Sequence, residues 1–212
     1  LRISSPAIDA GDNAAVPGGV TTDLGGNPRF ADVPTVDDTG AGTSPIVDMG
    51  AYEYQYEAPP PVIYVDADAA GANDGTSWTD AFTDLQDALG WAVSGVEIWV
   101  AAGTYRPTYL LSPPDPRSAT FQLKSGVALY GGFDPSVGAT AWEDRDWNAN
   151  PTILSGDIGI EGDPADNSYH VFYHPAGTNL DSTAVLDGFT ITGGNANADA
   201  WPHWDGGGMN NN

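Results

Sequence analysis

Val127-Ala128-Leu129-Tyr130-Gly131-Gly132-Phe133 is a short run of strand-forming residues that breaks at paired glycines, and runs of this kind recur along the chain. Val96-Glu97-Ile98-Trp99-Val100 and Ala119-Thr120-Phe121-Gln122-Leu123 precede it. Thr152-Ile153-Leu154-Ser155-Gly156, His170-Val171-Phe172-Tyr173 and residues 184–194 follow it. Each run is short and ends in glycine or a polar turn. Side chains that point inward from such strands find partners only on neighbouring runs, which predicts stacking, although the spacing is irregular.

Working outward, one helix is predicted upstream. Thr79 or Asp80 can cap it, Ala81, Phe82, Leu85, Ala88, Leu89 and Ala92 recur at helical spacing, and Gly95 closes it. Its apolar stripe needs a surface, and the open end of a strand stack offers one. Ile63-Tyr64-Val65 reads as a strand and Asn73-Asp74-Gly75-Thr76 as a turn. The run Ala58-Pro59-Pro60-Pro61 favours polyproline II and forms a semi-rigid spacer. Residues 1–57 differ in character: short apolar pieces (Ala7-Ile8, Val16, Val33, residues 46–49) alternate with Gly, Asp, Asn and Pro. A loop-rich module with a few short strands is expected there, held by aromatic anchors such as Phe30, Tyr52 and Tyr54. The expected division is therefore 1–57, a closing module; 58–61, a spacer; and 62–212, a stack of strands that breaks off in mid-pattern at Gly206–Asn212.

The chain carries 29 acidic residues against 6 basic ones, a formal charge of −23. Such a surface repels phosphate backbones, so nucleic acid and anionic membrane are excluded as partners. The acid solvates the surface, suits high salt or binds divalent cations. Cysteine is absent, which removes disulfides, zinc-thiolate sites and thiol nucleophiles. No apolar run is long enough to span a bilayer, so membrane insertion is not expected.

Two groups of motifs resemble known proteins. Ser5-Pro6-Ala7-Ile8-Asp9-Ala10-Gly11-Asp12 and Val47-Asp48-Met49-Gly50-Ala51-Tyr52-Glu53 resemble the closing, choice-of-anchor type module of secreted bacterial parallel β-helix proteins. Ile63-Tyr64-Val65-Asp66-Ala67-Asp68 with Asn73-Asp74-Gly75-Thr76-Ser77-Trp78 resembles the entry cap of such a β-helix. Gly103-Thr104-Tyr105, Arg145-Asp146-Trp147, Asp166-Asn167-Ser168-Tyr169-His170-Val171 and Leu186-Asp187-Gly188-Phe189-Thr190-Ile191 are similar to bacterial right-handed β-helix surface proteins. The fold class this implies is all-β: a right-handed parallel β-helix with an N-terminal capping α-helix, preceded by a small loop-rich β module. It also implies an extracellular or cell-surface location and tandem β-helices.

Candidate chemistry lies in carboxylates. Asp66, Asp68, Asn73 and Asp74 crowd one turn-rich segment, and Asp157, Glu161, Asp163, Asp166 and Asn167 crowd another. Hard oxygen donors on flexible turns suit calcium. The same residues form Asx-turns that bond their own backbone. At least one cluster is expected to bind structural calcium, and chelation is then expected to lower thermal stability. The single lysine, Lys124, reads as a solvated side chain rather than a base, and Arg145 as a partner of Asp144, Asp146 or loop carbonyls. His170, His174 and His203 show no metal spacing and read as structural. Trp201 and Trp204 beside Asp205 either stack on a glycan or pack on the protein.

Two functions compete on this evidence. One is a non-catalytic structural or adhesive surface element, partnered by other copies of itself, neighbouring repeats or glycans and assembling head to tail into a filament. The other is the scaffold part of a polysaccharide lyase or glycoside hydrolase with its catalytic coils elsewhere. No catalytic residues are assigned, which favours the first.

Overall fold

The computed structural model describes residues 5–34, 36–56, 61–139, 141–198 and 203–211. The chain divides into two compact units, Leu1–Ala58 and Pro59–Asn212. Ala58, Pro59 and Pro60 of the expected spacer lie outside the described residues.

Among the described residues of the first unit the expected short strands do not form. Its described regular structure is one 3-10 turn, Asn13–Ala15, and two isolated bridges, Asp12 to Ala41 and Thr22 to Pro28. Of the expected aromatic anchors, Phe30 and Tyr52 are exposed and Tyr54 is half-buried. Ile8, Val33, Ile46 and Val47 are buried instead, together with the acids Asp9, Asp23, Asp48 and Glu53.

The second unit contains β1 (Val62–Val65), α1 (Leu85–Trp91), β2 (Glu97–Ala101), β3 (Gly103–Tyr105), β4 (Ala128–Phe133), β5 (Thr152–Ser155), β6 (Phe172–His174), β7 (Val185–Asp187), β8 (Phe189–Thr192) and β9 (Met209–Asn211). Three separate parallel sheets result, in the orders β1-β2-β4-β7, β3-β5-β8 and β6-β9. The expectation of an all-β right-handed parallel β-helix is corrected by this arrangement. The unit is a small mixed α/β structure of short parallel strands in three small sheets, and no solenoid is shown. The strands run for only three to six residues. Asp115 and Asp134 side chains accept main-chain N–H groups at the starts of 3-10 turns, which divert the chain into polar loops. Ala119–Leu123, expected as a strand, contributes only isolated bridges from Ala119 and Phe121.

The predicted helix is shorter than its apolar stripe suggested. Asp84 caps it, accepting from Gln86 N–H at 2.8 Å, so Ala81 and Phe82 precede it. Phe82 instead pairs with β1: its N–H donates to Tyr64 O, and its carbonyl accepts from Asp66 N–H. Leu85, Ala88 and Leu89 are buried in the core with Ile63, Ile98 and Leu129. Register places Ile63, Ile98, Leu129 and Leu186 side by side across the first sheet. The opposite face of that sheet is partly buried, around Trp99 and Phe133. There Trp99 stacks on Phe133, with ring centroids 4.6 Å apart, beside Tyr64 and Trp78.

One irregularity shapes the first sheet. Trp99 faces Tyr130 but Ala101 faces Phe133, so Gly131 and Gly132 stand opposite one residue of β2. Gly132 has φ +96°, and a Cβ on Gly131 would sit 2.6 Å from Gly188 O. Only glycine fits both demands.

Leu129 lies at the centre of the apolar row and is fully buried. Leu129→Ala is expected to destabilise the second unit by about 2–5 kcal/mol, because a cavity there has few ways to collapse. Urea denaturation followed by tryptophan fluorescence checks this, as all seven tryptophans lie beyond residue 77.

Candidate functional site

In the first unit, carboxylates take the place of a strand ladder. Asp48 accepts from Asp9 N–H at 2.8 Å and from Tyr54 N–H at 2.7 Å. Glu53 accepts from Asp48 N–H at 3.1 Å, and Asp23 accepts from Glu53 N–H at 3.1 Å. The chain Asp9–Asp48–Glu53–Asp23 thus ties loops together, each residue's main-chain N–H held by the side chain of the next acid. Arg29 supplies the counter-charge: it meets Glu53 at 2.9 Å and donates to the carbonyls of Asp48 and Gly50. Burial pushes Glu53 up to about 7 against the pull of the Asp48 N–H, while the Asp48 charge adds to the rise and Arg29 opposes it. The main-chain N–H of Glu53 holds Asp23 below its usual range.

Asp9 is fully buried. One of its oxygens accepts from Val33 N–H at 3.3 Å, and the other has no hydrogen-bond partner among the described residues. A carboxylate oxygen of Asp9, one of Asp32 and one of Asp38 all lie within 4.8 Å of one another, with Asp32 and Asp38 exposed. Burial pushes Asp9 up to about 6, and the charges of Asp48, Asp32 and Asp38 add to the rise. This grouping was not legible in the sequence, because Asp9 stands far from Asp32 and Asp38 along the chain.

The sequence-predicted carboxylates have other partners. Asp66 accepts from Asp68 N–H, and Asp74 from Thr76 N–H and Oγ1, as Asx-turns do. Asn73 accepts from Thr83 N–H at 2.8 Å. In the second cluster Asp163 accepts from Ala165 N–H, Asp157 from Gly162 N–H and Asp166 from Ile160 N–H. Asp157, Asp166, Asn167 and Ser168 each keep one buried side-chain oxygen with no partner among the described residues. That donor chemistry is of the kind hard cations bind, whereas Asp66 and Asp74 each accept from a turn N–H. Trp201 lies outside the described residues, and Trp204 is 58% exposed.

The histidines are structural in their bonding. His174 Nε2 accepts from Leu123 N–H at 2.8 Å, which leaves Nδ1 to donate to Asn211 Oδ1. His170 is buried, with Nδ1 3.0 Å from Gly206 O and Nε2 3.1 Å from His203 Nδ1. Burial pushes both His174 and His203 below the ordinary histidine value, with His170 adding to the effect at His203. Among the described residues no helix is long and apolar enough to cross a membrane. Comparison of the chain with protein-family models, curated proteins and solved structures finds no match.

Two outcomes follow from these bonds. Arg29→Ala leaves Glu53 buried without its counter-charge, and the first unit is expected to lose about 3–5 kcal/mol. Hydrogen exchange of residues 5–56 reads that loss directly. For His174 and His203, folded-state values below 6.5 mean that the unfolded chain binds protons the folded chain refuses. Their contribution is complete above pH 6.5 and is lost as the pH falls below it. The urea midpoint of the second unit is expected to drop between about pH 7.5 and about pH 5.5, and to drop less in His203→Gln. An equal drop in that variant would contradict the assignment.

Proposed function

We propose that this chain is a non-catalytic structural or adhesive element of an extracellular surface protein. The observation that supports this is the engagement of its cations. Every described basic side chain donates to main-chain carbonyls. Arg29 reaches Asp48 and Gly50, Arg106 reaches Asp157, and Arg117 reaches Asn167 and Asn195. Lys124 reaches Gly90 and Ala92 at the end of α1, and Arg145 reaches Gly131 and Asp187. Cations committed in this way join distant loops; acting as a base or binding an anionic glycan would require breaking those joints. The surplus of acid keeps the remaining surface solvated and repels nucleic acid.

Arg145 is the fullest case. Its guanidinium lies 4.9 Å from the ring centroids of Tyr130 and Trp142 and within 6 Å of Phe133 and Trp147. It also pairs with Asp187 at 3.3 Å. Partners of the same make, other copies or repeats, are the class we infer for assembly. Strands β7, β8 and β9 lie at sheet edges, and their side chains are half-buried or exposed.

Arg145→Lys keeps the charge but cannot span both carbonyls and Asp187 at once. It is expected to lower stability by about 2–3 kcal/mol, read by urea denaturation. The functional reading is tested by incubating the protein with pectin-type and alginate-type polysaccharides while following its assembly by sedimentation and electron microscopy. Concentration-dependent elongated assemblies with no oligosaccharide release are expected. Depolymerisation of either glycan, or a strictly monomeric protein at all concentrations, would overturn the reading.

A further inference from the structure

We propose that Asp9, Asp32 and Asp38 form a binding site for a divalent cation of the calcium class. One carboxylate oxygen from each lies within 4.8 Å of the others, although Asp9 is far from the other two in sequence. Asp9 is the informative member, being fully buried with one oxygen that no described residue bonds. A buried carboxylate oxygen costs free energy unless a donor or cation meets it. The carboxyl group of Asp9 instead lies close to two more carboxylates. The basic side chain described in this unit, Arg29, is committed to Glu53 and to the carbonyls of Asp48 and Gly50. A bound cation is the group that would offset three converging negative charges.

The surrounding backbone holds the three acids in place without a ligand. Thr39 and Gly40 N–H groups both donate to Asp9 O, at 2.9 and 3.0 Å, which anchors the segment carrying Asp38. Val33 N–H donates to Asp9 Oδ2, anchoring the segment that follows Asp32, and Ser44 Oγ donates to Asp32 Oδ1 at 3.3 Å. The donors are all hard oxygens, with no nitrogen or sulfur among them, which selects calcium or magnesium over zinc or copper. Three carboxylate oxygens within 4.8 Å of one another are close enough to share one such cation, and calcium takes an irregular oxygen set more readily than magnesium, which demands near-octahedral geometry. Exposure of Asp32 and Asp38 leaves the remaining positions open to water.

The test uses chelator-treated protein titrated with calcium chloride, with magnesium chloride in a parallel arm. Hydrogen exchange is followed in peptides covering residues 5–12 and 36–41. Calcium is expected to slow exchange of the Thr39 and Gly40 amides by about tenfold or more, because binding to the folded form alone suppresses local opening. Asp32→Asn and Asp38→Asn are expected to abolish that protection. Their metal-free stability should be unchanged or higher, since each removes a repelling charge from an exposed position. Asp163→Asn and Asp166→Asn, in the second unit, should leave protection at residues 36–41 intact, which separates this site from any cation held there. Protection that calcium does not change, that survives in Asp38→Asn, or that magnesium reproduces at equal concentration would overturn the proposal.

Discussion

Short strands and long loops leave many main-chain groups without a ladder partner, and a buried N–H or C=O without a partner is costly. This protein meets that constraint with charged side chains in both units, and the buried or long-range cases differ between them. In the first, buried acids accept from N–H groups: Asp48 from Asp9 and Tyr54, Glu53 from Asp48, and Asp23 from Glu53. In the second, the few cations donate to carbonyls. Arg117 joins Asn167 to Asn195, and Arg145 joins Gly131 to Asp187.

The two strategies have different electrostatic consequences. An arginine under carbonyl dipoles and aromatic faces is stabilised by its surroundings, and Arg117 adds the Tyr169 ring at 4.2 Å. Buried acids repel one another, and a single arginine, Arg29, lies among those described in the first unit. Burial, with the neighbouring charges adding to it, makes Glu53 and Asp9 resist ionisation, whereas Asp23, richly supplied with N–H donors, ionises more readily than usual. Removing one member of such a network therefore affects the protonation of the others as well as the loop it holds.

The helix shows how tertiary contact overrides a local pattern. Ala81, Phe82, Leu85, Ala88 and Leu89 have helical spacing, yet Phe82 gives its main chain to β1, and the helix starts only after the Asp84 cap. The edge of β1 needs N–H and C=O partners, and the segment before the helix supplies them. A periodicity count sees side chains and is blind to that demand. The same blindness led from short glycine-ended runs to an all-β coil, where the chain forms three small parallel sheets separated by polar loops.

By itself, the sequence determined what is local: the approximate positions of β1, β2, β4 and β5, the turn at Asn73–Thr76 and the break in character near residue 58. Strand propensity, glycine and proline act over a few residues, so they can be read in order. It also grouped Asp157, Asp163, Asp166 and Asn167 as one candidate cluster, because they are close together in the chain. Tertiary structure alone decided which distant groups meet. Asp9 reaches Asp32 and Asp38, Arg145 finds Asp187 rather than its acidic neighbours, and His170 finds His203. Burial and charge pairing depend on three-dimensional proximity, and in an irregular fold no period along the chain encodes it.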